Sequence, residues 1–138
     1  MLSYYIYGGT IVFGTRYMQT IRLKYGRVRI MDKEQALRIA EKFAEQVAKE
    51  FNPTQILLFG SYLDGTHREN SDIDIAIVFD KNSEPENWLK AAARMQAIRW
   101  EINDTDIEPH LLELDQKPDG FTNHVRKIGK VLYQAPAA

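Results

Sequence analysis

Two aspartates, Asp72 and Asp74, stand one residue apart, and a Gly60-Ser61 pair precedes them across a gap of ten residues. On a strand, residues two apart project from the same face with Cα atoms roughly 6.5–7 Å apart. Carboxylates that close repel each other without a cation between them, and oxygen ligands suit Mg²⁺. Glycine lets an anion approach the backbone, N–H groups at such a turn can cradle phosphate oxygens, and the Ser61 hydroxyl adds a donor. Alone, each pair reads as a turn or a solvated strand start. Together, at this spacing, they point to a metal ion working on a phosphate.

Metal-assisted phosphoryl chemistry usually takes a third carboxylate, which completes a second metal site and helps to deprotonate an attacking hydroxyl. The segment "TDIEPHLLEL" offers Asp106 and Glu108 on one face of a strand, with His110 next on that face. Glu108 is nearer the middle of the strand and is the first choice, with Asp106 as the alternative. Arg68, between the two motifs, is within reach of a phosphate but also reads as a surface arginine. His67, His110 and His124 show no zinc-like spacing and are expected to be structural or solvated.

These groups need elements to hold them. "ILLF" (56–59) reads as a short buried strand broken by Gly60-Ser61. "DIDIAIVF" (72–79) alternates, with Ile73, Ile75, Ile77 and Phe79 on one face and Asp72, Asp74, Ala76 and Val78 on the other. Before them, Asp32 and Gln35 form a capping box for a helix with an apolar stripe from Ala36 to Phe51, ended by Asn52-Pro53. After them, Ser83 to Glu86 reads as a second capping box, opening a helix with a core stripe of Trp88, Ala91, Ala92, Met95, Ile98 and Ile102. Pro109 assigns the "DIEPHLLEL" strand to an edge. Phe121, Val125, Ile128 and Leu132 mark a last helix. The order predicts a small mixed sheet with helices packed on one face.

The first thirty residues have a different texture. Gly8-Gly9 separates two aromatic and β-branched runs as in a hairpin, and "TIRLKY" alternates before Gly26 turns into "VRI". This segment holds five basic and no acidic residues, leaving 13 basic and 19 acidic in the rest, for a net charge of −1. It reads either as a β-rich extension or as sequence upstream of a domain that starts near Met31. So acidic a remainder is poorly suited to gripping duplex nucleic acid through phosphates. The chain has no cysteine, which fits a reducing cytosol and excludes disulfides and thiolate chemistry. No signal peptide and no membrane span is expected.

Gly60-Ser61, ten residues, then Asp72-Ile73-Asp74 resembles the signature of the polymerase-β-like nucleotidyltransferase superfamily. The stretch "FGSYLDGTHRENSDIDIAIV" is most similar to its minimal nucleotidyltransferases, and the likeness runs from Met31 to Tyr133. The resemblance implies an α+β nucleotidyltransferase fold over 31–133, a β-rich basic extension over 1–30 and a tail over 134–138. It implies triphosphate binding by Gly60 and Ser61, and two Mg²⁺ ions on Asp72, Asp74 and Glu108. The implied reaction moves a nucleoside monophosphate, AMP from ATP, to a hydroxyl and releases pyrophosphate in the cytoplasm. With no acceptor domain expected, the acceptor becomes a partner protein, as in antitoxins that adenylylate HEPN-type ribonuclease toxins. A non-catalytic antitoxin that neutralises its partner by contact is the alternative, and an antibiotic-modifying transferase is the second. The N-terminal strands are a candidate oligomerisation edge. Two departures stand out: Asp64 occupies a turn where relatives carry small or basic residues, and Glu108 stands where aspartate is common.

Overall fold

The computed structural model describes residues 4–7, 10–13, 21–24, 27–29, 32–68, 71–102 and 106–137. Four short strands, β1 (Tyr4–Tyr7), β2 (Thr10–Phe13), β3 (Ile21–Lys24) and β4 (Arg27–Arg29), form an antiparallel meander in chain order. Tyr7 pairs with Thr10 and Lys24 with Arg27, which leaves two-residue connections at 8–9 and 25–26, as the glycine positions predict. Those connecting residues themselves lie outside the described ones.

Helix α1 (Lys33–Phe51) starts at the predicted box: Asp32 Oδ1 accepts from the Gln35 N–H at 2.8 Å, and Gln35 Oε1 accepts from the Asp32 N–H at 3.0 Å. An N-cap of this kind stabilises a helix by about 1 kcal/mol. Asn52 ends it in the left-handed region with φ 48°. Its buried stripe is Ala36, Ala40, Phe43, Ala44 and Val47, in which the alanines let the helix backbone lie close to its neighbours.

A second sheet contains β5 (Gln55–Phe59), β6 (Ile73–Phe79), β7 (Ile107–Glu113) and β8 (Lys130–Gln134), in the order β7-β6-β5-β8. Strand β5 is antiparallel to β6 and β8, while β6 and β7 run parallel, so the sheet is mixed. The parallel pair is joined through α3 (Trp88–Glu101). As Pro109 predicts, β7 is an edge. One face carries Ile56, Leu58, Ile73, Ile75, Ile77 and Phe79, packed with the stripe of α1 and with Met95 and Ile98 of α3.

Helices do not all lie on that face. Helix α4 (Phe121–Ile128) sets Val125 against Leu57, Ala76 and Val78 on the other side. The cause is that β6 is apolar on both faces from Ile75 onwards, so its second face also needs cover. The uncovered end of that second face is where Asp74 stands.

Two helix boundaries differ from those expected. Ser83 does not cap α3; its N–H and that of Asn82 each reach Asp80 Oδ1 at 2.8 Å, and its Oγ accepts from the Asp80 N–H at 3.0 Å. These bonds close a turn after β6, and Asn87 becomes the cap, with Oδ1 accepting from the Lys90 N–H at 3.0 Å. Nor does the last helix reach Leu132. It ends at Ile128, and Gly129, against Leu57 and the Val125 carbonyl, passes the chain into β8. Leu132 and Tyr133 then join the core from a strand. Among the described residues no helix is long and apolar enough to cross a membrane.

Candidate functional site

Register across the second sheet aligns Phe59, Asp74 and Glu108 on three neighbouring strands. One step further in, on the same face, Leu57, Ala76 and His110 are aligned. Ala76 is small, and the imidazole beside it leans back towards the first row: His110 Nε2 lies 3.1 Å from Asp74 Oδ1 and 4.0 Å from Glu108 Oε1. One ligand atom from each of Asp74, Glu108 and His110 falls within 4.8 Å of the others. The Asp74 hydrogen bond raises the His110 pKa above its ordinary value against the opposing effect of burial, with the Asp74 and Glu108 charges adding to it. A protonated imidazole here donates to Asp74 and offsets part of the repulsion between the two carboxylates.

Gly60 closes the site from the β5 side. It adopts φ 81° and ψ −157°, a region essentially restricted to glycine, and a Cβ there would collide with the Asp74 carboxylate. The Gly-Ser turn thus packs its backbone directly on the acid. The turn is anchored by α2 (Ser61–Asp64), whose Tyr62 is buried in the core and stacks on His67 with ring centroids 4.6 Å apart. Asp64 is held within its own turn, its Oδ1 accepting from the Thr66 N–H at 2.9 Å and hydroxyl at 2.5 Å. Those bonds lower its pKa and tie the carboxylate to Thr66.

The expected site residues are therefore distributed as follows. Gly60, Asp74 and Glu108 come together, with Ser61 half-buried at the start of α2. Asp72, half-buried just before β6, stands outside the cluster formed by Asp74, Glu108 and His110. Asp106 is only 3% exposed, and its carbonyl accepts from the Ile73 N–H at 2.8 Å where the β6–β7 ladder begins. Arg68 is exposed, and its main chain folds the connection through Ser71, whose Oγ accepts from the Arg68 N–H at 2.7 Å. His110, expected to be structural or solvated, belongs to the cluster. The Glu108-x-His110 spacing was its signal, since residues two apart on a strand share a face.

Two carboxylates and an imidazole at this separation fit a divalent cation: the oxygens suit Mg²⁺ or Mn²⁺, and the imidazole favours the softer metals of the series. Gly60 leaves no room for a side chain beside Asp74, so backbone lines that flank of the carboxylate.

The polymerase beta nucleotidyltransferase family model matches residues 41–137, well over half of the chain, and the chain belongs to that family. Among solved structures it is similar to a candidate nucleotidyltransferase from Sulfolobus solfataricus, at 22% identity and a TM-score of 0.50 over 74% of this chain and 83% of that one. It is also similar to a chain of a toxin-antitoxin structure with AMP-PNP, at 26% identity and a TM-score of 0.48 over 69% of this chain and 73% of that one. A search of the curated proteins finds no match. The nucleotidyltransferase family works with nucleoside triphosphates and divalent metal, and the acidic cluster lies inside the matched region.

Proposed function

We propose that the chain transfers AMP from ATP to a hydroxyl of a partner protein, of the HEPN-type ribonuclease class, and releases pyrophosphate. The observation that carries this reading is the packing of the Gly60 backbone on the Asp74 carboxylate, with Glu108 in register beside it. Asp72, Asp74 and Glu108 are the proposed ligands of two Mg²⁺ ions, and Gly60, Ser61 and Arg68 the proposed holders of the triphosphate. Divalent cations supply, when bound, neutralisation of phosphate charge and a more acidic acceptor hydroxyl.

The chain's own residues do the rest. His110 orients the Asp74 carboxylate through its hydrogen bond. Glu108, on the edge strand and about half exposed, is open to an incoming acceptor and takes its proton. The acceptor oxygen bonds to the α-phosphorus as the bond to the bridging oxygen breaks, and pyrophosphate leaves with that electron pair. The acidic excess after residue 30 favours a basic partner and a salt-sensitive encounter. The β1–β4 meander, outside residues 41–137, is proposed to serve association through its strand edges.

The test is incubation with a co-expressed partner of this class, ATP and Mg²⁺, followed by mass spectrometry. An AMP adduct on the partner, absent with Asp74→Asn, supports the reading. Tight binding without an adduct or pyrophosphate would replace it with neutralisation by contact.

A further inference from the structure

A series of aromatic rings leads away from the carboxylates on the same face of the sheet. His110, bonded to Asp74, makes an edge contact with Phe59 at 5.1 Å between ring centroids and 65° between planes. Phe59 in turn meets Phe121, the first residue of α4, at 6.1 Å and 76°. Phe121 is nonetheless 56% exposed. A T-shaped contact engages at most one face of a ring, so Phe121 keeps a π-face for something else.

The backbone that carries the ring is also held in place. Asn123 Nδ2 donates to the Asp115 and Lys117 carbonyls at 3.0 and 2.6 Å, and the Gly120 N–H donates to the Lys117 carbonyl at 3.0 Å. A Cβ on Gly120 would strike the Asp115 carboxylate, so the chain turns tightly just before Phe121. A preorganised aromatic loses little freedom when a flat ligand settles on it.

We propose that Phe121, backed by Phe59, is the platform on which the nucleobase of the bound nucleoside triphosphate stacks. This deepens the function proposed above and rests on it. Phe59 directly precedes Gly60-Ser61 and pairs across the sheet with Asp74, so phosphate seat, carboxylates and platform adjoin one another. Nucleobase rather than acceptor is assigned because the rings adjoin the triphosphate turn. Stacking on a π-face is tolerant of base identity, so the platform gives affinity with little choice among bases.

The test compares ATP, UTP and inorganic tripolyphosphate, each with Mg²⁺, by calorimetry on the full chain. Phe121→Ala should weaken ATP and UTP about tenfold and leave tripolyphosphate unchanged. Phe121→Leu, which keeps apolar volume without a π-face, should behave like Phe121→Ala, and Phe121→Trp should match or exceed the parent. Unchanged ATP affinity in Phe121→Ala, or full retention in Phe121→Leu, would overturn the platform while leaving the transferase reading intact. Loss of protein transfer with ATP affinity unchanged would move the platform to the acceptor and also refute this assignment. A parent chain that binds neither ATP nor tripolyphosphate would overturn both readings.

Discussion

Gly60 and Gly65 flank the short helix α2, both with positive φ, and together they isolate what the contact with Asp74 contributes. Gly65 has φ 84° and ψ 6°, and a Cβ there meets nothing within 4 Å. Gly65→Ala should therefore cost only the left-handed backbone penalty, about 1–2 kcal/mol. Gly60→Ala carries a strain of about 1–3 kcal/mol for its glycine-only region. It must also push the Asp74 carboxylate out of its seat, breaking the hydrogen bond from His110, worth about 1.5–3 kcal/mol for a charged pair. The expected total is about 3–5 kcal/mol, which for a chain of this size lowers Tm by roughly ten degrees or more.

Thermal and urea unfolding of the two variants, alone and combined with Asp74→Ala, reads this directly. In the Asp74→Ala background the colliding carboxylate is gone, and the excess cost of Gly60→Ala over Gly65→Ala should shrink to the difference in backbone strain. A double-mutant coupling of about 1.5–3 kcal/mol is expected between positions 60 and 74. If Gly60→Ala were no more costly than Gly65→Ala, or if its excess survived removal of the carboxylate, the turn would not be built around Asp74.

Further outcomes are expected. Asp74→Asn and Asp72→Asn should each abolish Mg²⁺-dependent nucleotide transfer with the circular dichroism spectrum unchanged, and retained turnover in either would exclude that residue as a metal ligand. Glu108→Gln should lower kcat far more than NTP affinity, whereas Asp106→Asn, buried beneath the strand start, should alter Tm more than turnover. Arg94 bridges Glu50 of α1 and Glu101 of α3 at 2.6 Å to each, and its hydrogen bond holds the Glu50 pKa below the usual carboxylate range against the effect of desolvation. A depressed folded pKa gives stability that is present above the unfolded value and lost as pH falls through the folded one. Urea midpoints should therefore show Glu50→Gln less stable than the parent at neutral pH, with the gap closing in acid; a gap that persists in acid would assign the effect to packing.

The fold was legible wherever one local signal determined one outcome. The box at Asp32 and Gln35, the core-facing row Ile73, Ile75, Ile77 and Phe79 and the proline in β7 each have a single physical reading, and each appears where it should. The misplaced boundaries fall where two readings compete for one side chain. Ser83 can cap a helix or close an Asp80 turn, and the tight reversal after β6 decides for the turn. Leu132 continues the helical spacing of α4, yet β5 has an open edge, and Gly129 lets the chain reach it as β8. Such an open edge is a property of the assembled sheet and cannot be read from a local window.

The same logic separates what was visible of the site from what was not. Alternation along one strand is local and puts Asp74 on the face opposite Ile73 and Ile75, whereas Asp72, just before β6, falls outside the cluster. Pairing Asp74 with Glu108, rather than with Asp106, requires the register of two strands separated by a helix. That register is fixed when the core-facing row Ile73, Ile75 and Ile77 aligns with Ile107, Pro109 and Leu111. A shift by one residue would turn Glu108 into the core, at a cost no short strand could sustain. The apolar face thus fixes the side on which Glu108 lies, and the observed register sets Glu108 beside Asp74, since a shift by two residues would keep that face and bring Asp106 there instead. The same register also puts His110 beside Asp74, since any register that seats Glu108 next to the aspartate places the residue two further on against Ala76, where the small side chain leaves the imidazole room to lean back onto the carboxylate.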